Sequence, residues 1–145
     1  MSHARKEYRD FMSLAPDAYE AVLALSQIAA KAGIDKQLLE LIKLRASQIN
    51  GCAFCVQFHI MESEKLGVPA DKINLVVVWR EAPQFSARER AALAWTEALT
   101  LLADGVSDEV YAQAAGEFSE KELTYLTSAV ASINVWNRFG AAYRW

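Results

Sequence analysis

The residues best suited to chemistry lie in one short segment, which holds both cysteines of the chain, Cys52 and Cys55, and one of its two histidines, His59. Two residues separate the cysteines, and the histidine follows the second cysteine at the i,i+4 spacing of a helix. In a reducing compartment a Cys-x-x-Cys pair is more often redox-active or metal-binding than a structural crosslink. The segment therefore predicts thiol chemistry or a metal site.

The surrounding pattern predicts that these residues lie on a helix over residues 52–66. At about 100° per residue, Cys52, Cys55 and His59 fall within an arc of about 60° on one helix face. Cysteines in the first turn lie near unpaired backbone N–H groups and the positive end of the helix dipole, which favour the thiolate. The roughly opposite face is predicted for apolar packing and carries the bulky side chains Phe54, Phe58 and Met61.

A carboxylate on the preceding helix completes the candidate set. Glu40 lies among apolar residues of a helix that we expect Asp35 to cap and Asn50-Gly51 to end. From that helix its carboxylate could orient the His59 imidazole and hold its charged form, although an exposed surface position for Glu40 fits the spacing equally well. The imidazole can take the proton of a thiol, and the resulting thiolate is the nucleophile that attacks a peroxide or a disulfide.

Two other interpretations of the cysteine pair remain open. The first is a pair of core cysteines, because cysteine is among the most often buried residue types. The second is zinc held by Cys52, Cys55, His59 and a fourth ligand, for which only Glu40 and His3 are available. Structural zinc sites usually draw ligands from two separated segments, so thiol redox chemistry is favoured over both alternatives.

Composition limits the class of protein. The chain has 145 residues and a net charge of -3, with basic residues scattered among acidic ones, so no nucleic-acid partner is expected. No apolar run approaches the roughly 20 residues needed to span a bilayer, and the N-terminus lacks the apolar region of a signal peptide. We expect a cytoplasmic protein with a single domain over residues 1–145, without a membrane segment and without a bound cofactor.

The hydrophobic periodicity predicts an all-α fold without a convincing strand. Ser86 with Glu89 and Ser119 with Glu122 form the capping-box pattern at two predicted helix starts. The expected elements are an arm or short helix over residues 1–15 and helices over residues 16–31, 36–50, 52–66, 71–80, 87–102, 108–115 and 120–139.

One arrangement of residues resembles the core motif of the alkyl hydroperoxidase D (AhpD)-like proteins, within the carboxymuconolactone decarboxylase superfamily. It reads Glu40…Leu44-Arg45-x-Ser47-Gln48-x-Asn50-Gly51-Cys52-x-Phe54-Cys55-x-x-x-His59. The similarity continues in residues 89–98 and 133–138, covers most of the chain from about Ala15, and points to the single-domain peroxidase-related branch. The resemblance implies an all-helical AhpD-like domain that assembles into trimers or into hexamers built from dimers.

The resemblance also implies a mechanism. Cys55 would attack a hydroperoxide and become a sulfenic acid, and Cys52 would resolve it to a disulfide. His59 would take the proton of Cys55, with Glu40 relaying it. An external dithiol would regenerate the pair; in the best-known member electrons run from a lipoylated protein toward a peroxiredoxin.

The chain departs from that member at one position and leaves two rival functions. It has Phe54 where the best-known member has a histidine before the second cysteine, so one link of that proton relay is missing. The decarboxylases of the superfamily lack the Cys-x-x-Cys pair, which disfavours lactone decarboxylation. The rivals are a protein disulfide reductant or redox sensor, and a non-catalytic helical module that binds zinc. For the block Asn134-x-Trp136-Asn137-Arg138 we expect a structural role, and some aromatic side chains near the C-terminus are expected between subunits.

Overall fold

The computed structural model describes residues 3–145, and all regular structure in that range is helical, which confirms the predicted all-α fold. Residues 1 and 2 of the predicted N-terminal arm lie outside the described residues. None of the described helices is both long enough and apolar enough to cross a membrane. The helices are α1 (Tyr8–Leu14), α2 (Pro16–Lys31), α3 (Lys36–Asn50), α4 (Ala53–Lys65), α5 (Ala70–Leu75), α6 (Ala87–Thr100), α7 (Asp108–Glu117) and α8 (Glu120–Tyr143), with short 3-10 turns at Val76–Val78 and Leu102–Asp104.

The helix ends follow the predicted local signals. The Asp35 carboxylate accepts the backbone N–H of Gln37 (3.0 Å) at the start of α3. Ser86 and Ser119 each form a full capping box at the starts of α6 and α8. Gly51 adopts a left-handed conformation with φ 66° and ends α3, as the Asn-Gly pair predicts.

Two helices end more than two residues away from their predicted ends. The helix predicted over residues 71–80 ends at Leu75 and continues as a 3-10 turn, because three consecutive valines are stiff at χ1 and poor helix formers. Helix α8 extends to Tyr143 rather than stopping near Phe139. Gly140, which follows Phe139, does not end the helix and is buried within it.

Helix α3 lies at the centre of the molecule and packs against α4, α6 and α8. Leu39, Leu41, Ile42 and Leu44 are each at most 2% exposed. Burial of each such side chain contributes roughly 1.5–3 kcal/mol to the free energy of unfolding. This helix carries Glu40 and ends at Gly51, directly before Cys52.

Candidate active site

The turn between α3 and α4 positions both cysteines. After Gly51 the chain turns, and the Cys52 N–H donates to the carbonyl of Ser47 (3.1 Å). Helix α4 begins at Ala53, one residue later than predicted, because Cys52 serves as its N-cap: its Sγ accepts the N–H of Cys55 (3.3 Å). Cys55 therefore lies in the first turn of α4, at the positive end of the helix dipole.

Cys52 and Cys55 are joined by a disulfide in this structure. Their Cα atoms are 5.3 Å apart, and the two residues are 2% and 4% exposed. The chain thus brings both sulfurs to bonding distance, and the structure represents the oxidised form of the pair. Exchange with a reductant in solution then requires an opening that reaches one of the sulfurs.

A cavity of about 220 Å³ provides that opening, and Cys55 is part of its lining. Glu40 and His59 line the same cavity, so three of the four predicted site residues meet there; the fourth, Cys52, is not part of the lining. Lys43, which was not predicted, also lines it. The remaining walls are mostly apolar and aromatic: Tyr8, Leu23, Phe54, Phe58, Ile133, Trp136 and Trp145. Cys55 thus borders a largely apolar cavity, next to a small charged group.

That charged group is centred on the Glu40 carboxylate. Its Oε2 lies 2.6 Å from His59 Nδ1, and its Oε1 lies 3.5 Å from Lys43 Nζ. The three side chains are only 9–13% exposed. Burial raises the pKa of Glu40, but the hydrogen bond and charge of His59 and the charge of Lys43 outweigh it, so the net shift of this pKa is downward.

The lowered pKa of Glu40 fixes the direction of its hydrogen bond with His59. An ionised carboxylate only accepts hydrogen bonds, so Nδ1 of His59 carries the hydrogen and donates it. The other ring nitrogen, Nε2, is then the atom that can accept a proton. The carboxylate on α3 and the imidazole on α4 together form an oriented base in the cavity that Cys55 lines.

The outward face of α4 contradicts one prediction. Phe58 and Met61 are 44% and 40% exposed rather than packed in the core, whereas Cys52, Cys55 and His59 are buried. Phe54 stacks on Tyr8 with ring centroids 5.4 Å apart and lines the cavity beside Cys55, not on an opposite side. The pattern grouped Cys52, Cys55 and His59 correctly, and their face of α4 is the inner one.

Several cavity residues were missed because they come from distant parts of the chain. Tyr8 of α1 packs edge-on against Trp145 (5.2 Å), and its hydroxyl lies 3.1 Å from that of Tyr19. Burial and the Tyr19 hydroxyl raise the pKa of Tyr8 to about 12. Trp136, expected only to pack, donates Nε1–H to Ser26 Oγ (2.6 Å) and also lines the cavity. Nothing in the local sequence indicates these contacts.

Asparagines of the predicted structural block tie α8 to the end of α3. Asn50 Nδ2 donates to Oδ1 of both Asn134 and Asn137 (2.9 Å each). Asn137 is 1% exposed and donates to Ser47 Oγ (3.0 Å). These contacts hold the turn that precedes Cys52, a structural function as expected for the block.

The described residues do not form the predicted alternative zinc site. Within residues 3–145 no group of three or more His, Cys, Asp or Glu side chains is arranged to hold a metal ion. In this oxidised form the sulfurs of Cys52 and Cys55 are bonded to each other.

Comparison with known proteins places the chain in a family. The model of the carboxymuconolactone decarboxylase family matches residues 16–98. An uncharacterised protein of Bacillus subtilis, YdfG, is 32% identical over 133 residues, or 91% of this chain and 90% of the relative. The chain belongs to the carboxymuconolactone decarboxylase family. This membership confirms the resemblance drawn from the cysteine motif.

Solved structures of other proteins share the fold. A protein of unknown function from Agrobacterium tumefaciens, described as a candidate antioxidant defence protein AhpD, is 39% identical with a TM-score of 0.90, covering 98% of this chain and 96% of that one. The debrominase Bmp8 is 22% identical with a TM-score of 0.83, covering 92% of this chain and 72% of that one, a similarity of fold alone. The AhpD-like helical fold is thereby confirmed.

Proposed function

We propose that this protein is a thiol-dependent peroxidase that reduces hydroperoxides with the Cys52–Cys55 pair. One observation carries the proposal: Cys55, already bonded to Cys52, lines a cavity together with the hydrogen-bonded Glu40 and His59. A nucleophilic thiolate needs a base and a path for its substrate. The shared cavity supports this assignment, because Cys55 and His59, one helical turn apart on α4, both line it. The AhpD-like relative from Agrobacterium, described as a candidate antioxidant defence protein, supports the same reading.

The reaction follows from the reduced form of the pair. His59 takes the proton of the Cys55 thiol, and the thiolate attacks the distal oxygen of the hydroperoxide. The O–O bond breaks, Cys55 becomes a sulfenic acid, and the alkoxide leaves as an alcohol after taking up the proton from His59. Cys52 then attacks the sulfenic sulfur, water leaves, and the disulfide seen in the structure is formed.

Regeneration requires an external dithiol, which we propose is a small dithiol or a lipoyl group carried by a protein. A thiolate of that dithiol attacks Cys55, the sulfur that faces the cavity, and its second thiol resolves the mixed disulfide. The two electrons and two protons of the dithiol restore both cysteines. A peroxiredoxin could receive electrons from the reduced pair in the same way.

We further propose that the protein works as a homo-oligomer, a trimer or a hexamer. Apolar side chains outside the cavity are exposed, among them Leu101, Leu102, Val77 and Val78, each at least 50% exposed. Light scattering on the purified protein would measure its mass in solution; a monomer would contradict this part of the proposal.

Peroxide consumption with excess dithiol tests the proposed activity. The wild type should turn over an organic hydroperoxide, and Cys55→Ser should abolish turnover. Reduced Cys52→Ser, given peroxide after the dithiol has been removed, should instead stop after one event and leave a sulfenic acid on Cys55 that dimedone traps. Equal behaviour of the two variants, or turnover surviving in Cys55→Ser, would contradict the assigned roles. If the protein reduces a protein disulfide but no peroxide, the rival function of disulfide reductant replaces this one.

A further inference from the structure

Gly140 of α8 lies directly against the disulfide. It is buried, and a Cβ atom built on it would lie 2.5 Å from Cys52 Sγ and 3.2 Å from Cys55 Sγ. Distances below 3.0 Å are not tolerated between a Cβ and another heavy atom, so any side chain here would force the sulfur of Cys52 to move. No other glycine in the described chain would bring a Cβ this close to a neighbour.

Backbone conformation does not explain this glycine. Gly140 is inside a helix and is not among the residues with positive φ, so alanine would fit its backbone. Alanine is also the better helix former, so a glycine here weakens α8 without a local benefit. The close approach of the two sulfurs is therefore what accounts for the missing side chain.

The same residue holds the end of the chain over the site. The carbonyl of Gly140 accepts the N–H groups of Arg144 (2.8 Å) and Trp145 (3.3 Å). This turn brings the Trp145 ring to 3.8 Å from the position a Cβ would occupy, and to 5.7 Å, centroid to centroid, from Phe54 in the cavity wall. These hydrogen bonds use the backbone carbonyl, so an alanine at position 140 leaves them available.

We propose that Gly140 is a positioning residue of the redox pair, which leaves the space in which Cys52 and Cys55 close their disulfide. The dithiol and the disulfide differ in how far their sulfurs can move away from a Cβ at position 140. In the dithiol each Sγ can rotate about χ1 to another staggered position. In the disulfide both sulfurs are held by one bond, so rotation of either one is blocked. A Cβ at position 140 therefore raises the free energy of the disulfide more than that of the dithiol.

Redox equilibration of Gly140→Ala against glutathione tests the proposal. Reduction of the protein disulfide by two glutathione molecules gives the protein dithiol and glutathione disulfide, so electrons and protons balance. We expect the equilibrium to shift at least tenfold toward the dithiol, which for this two-electron couple is about 30 mV. The fraction of each form is read after acid quench and alkylation of free thiols.

Gly116→Ala is the matched control. Gly116 is in the last turn of α7, and nothing lies within 4 Å of a Cβ built on it. This substitution also replaces a helical glycine by alanine but does not touch the sulfurs, so its redox equilibrium should equal that of the wild type. A shift of less than twofold in Gly140→Ala, or an equal shift in both variants, would overturn the proposal.

A second measurement, made in a Cys52→Ala protein, keeps the test decisive if Gly140→Ala folds poorly. In a Cys52→Ala protein the Sγ at 2.5 Å is gone and Cys55 is free to rotate. The loss of stability caused by Gly140→Ala, measured by urea unfolding, should therefore be much smaller in that background than in the oxidised wild type. An equal loss in both backgrounds would show that the sulfurs are not the cause. None of these readouts uses peroxide, so they stand even if the proposed peroxidase activity fails.

Discussion

Replacing Glu40 by glutamine tests the base that is proposed to activate Cys55. The substitution keeps the size of the side chain and an oxygen acceptor for His59 Nδ1, but it removes the negative charge 2.6 Å from that nitrogen. Protonated His59 then loses its charged partner. We expect Cys55 to react more slowly with peroxide at neutral pH, because proton transfer to His59 becomes less favourable.

The size of the effect follows from the hydrogen bond that changes. A hydrogen bond to a charged group is worth about 1.5–3 kcal/mol, and one between neutral groups about 0.5–1.5 kcal/mol. The side chains of His59 and Glu40 are 9% and 12% exposed, so solvent does little to weaken the difference. A loss of about 1–1.5 kcal/mol corresponds to a rate roughly tenfold lower, since about 1.4 kcal/mol is one factor of ten.

Stopped-flow fluorescence of the reduced protein measures this rate, because Trp136 and Trp145 line the cavity that Cys55 faces. Glu64→Gln is the matched control: it removes the same charge from an exposed position on α4. Its rate should equal that of the wild type. A Glu40→Gln protein as fast as the control would refute the reasoning that the carboxylate assists the base.

Two further predictions concern stability. Glu97→Gln should lower the free energy of unfolding at pH 7 by about 2 kcal/mol, because the partly buried carboxylate accepts from Arg45, Trp79 and Arg80 (2.6–2.9 Å). Burial raises the pKa of Glu97, but these donors lower it below the ordinary 4.5, so this stability is present above pH 4.5 and is lost as pH falls below it. Urea unfolding at pH 7 and at about pH 4 should therefore show a smaller difference between variant and wild type at the lower pH; a constant difference would contradict the sign. Asn137→Ala should lower the free energy of unfolding by about 2–4 kcal/mol in the same assay, because the residue is 1% exposed and hydrogen-bonded to α3. The control Asn74→Ala, at an exposed position, should lower it by less than about 0.5 kcal/mol.

The helices and their ends could be predicted because their signals are local. Asp35, Ser86 and Ser119 each cap a helix by contacting a backbone group two or three residues away, and Gly51 ends α3 through its own backbone freedom. Such contacts depend on a few neighbouring residues, which a sequence pattern contains in full. The pairing of Glu40 with His59 was among the expected geometries because both residues belong to helices joined by one short turn.

The cavity could not be predicted, since its walls depend on packing between distant segments. Tyr8 and Trp145 come from opposite ends of the described chain and meet only because α1 and the end of α8 fold against α4. The burial of α4 was misjudged for a related reason: its pattern gives two faces, and only the surrounding helices decide that Cys55 and His59 are buried while Met61 is exposed. The role of Gly140 likewise depends on two sulfurs more than eighty positions earlier in the chain.

The central claim is that Cys52 and Cys55 exchange electrons with a hydroperoxide through the cavity. The most direct measurement is a thiol count, with intact mass, on reduced protein before and after one equivalent of organic hydroperoxide. Both thiols should disappear together, and the mass should fall by that of two hydrogens, as a disulfide requires. Two thiols remaining after peroxide, or oxygen added to one cysteine while the other stays free, would contradict it.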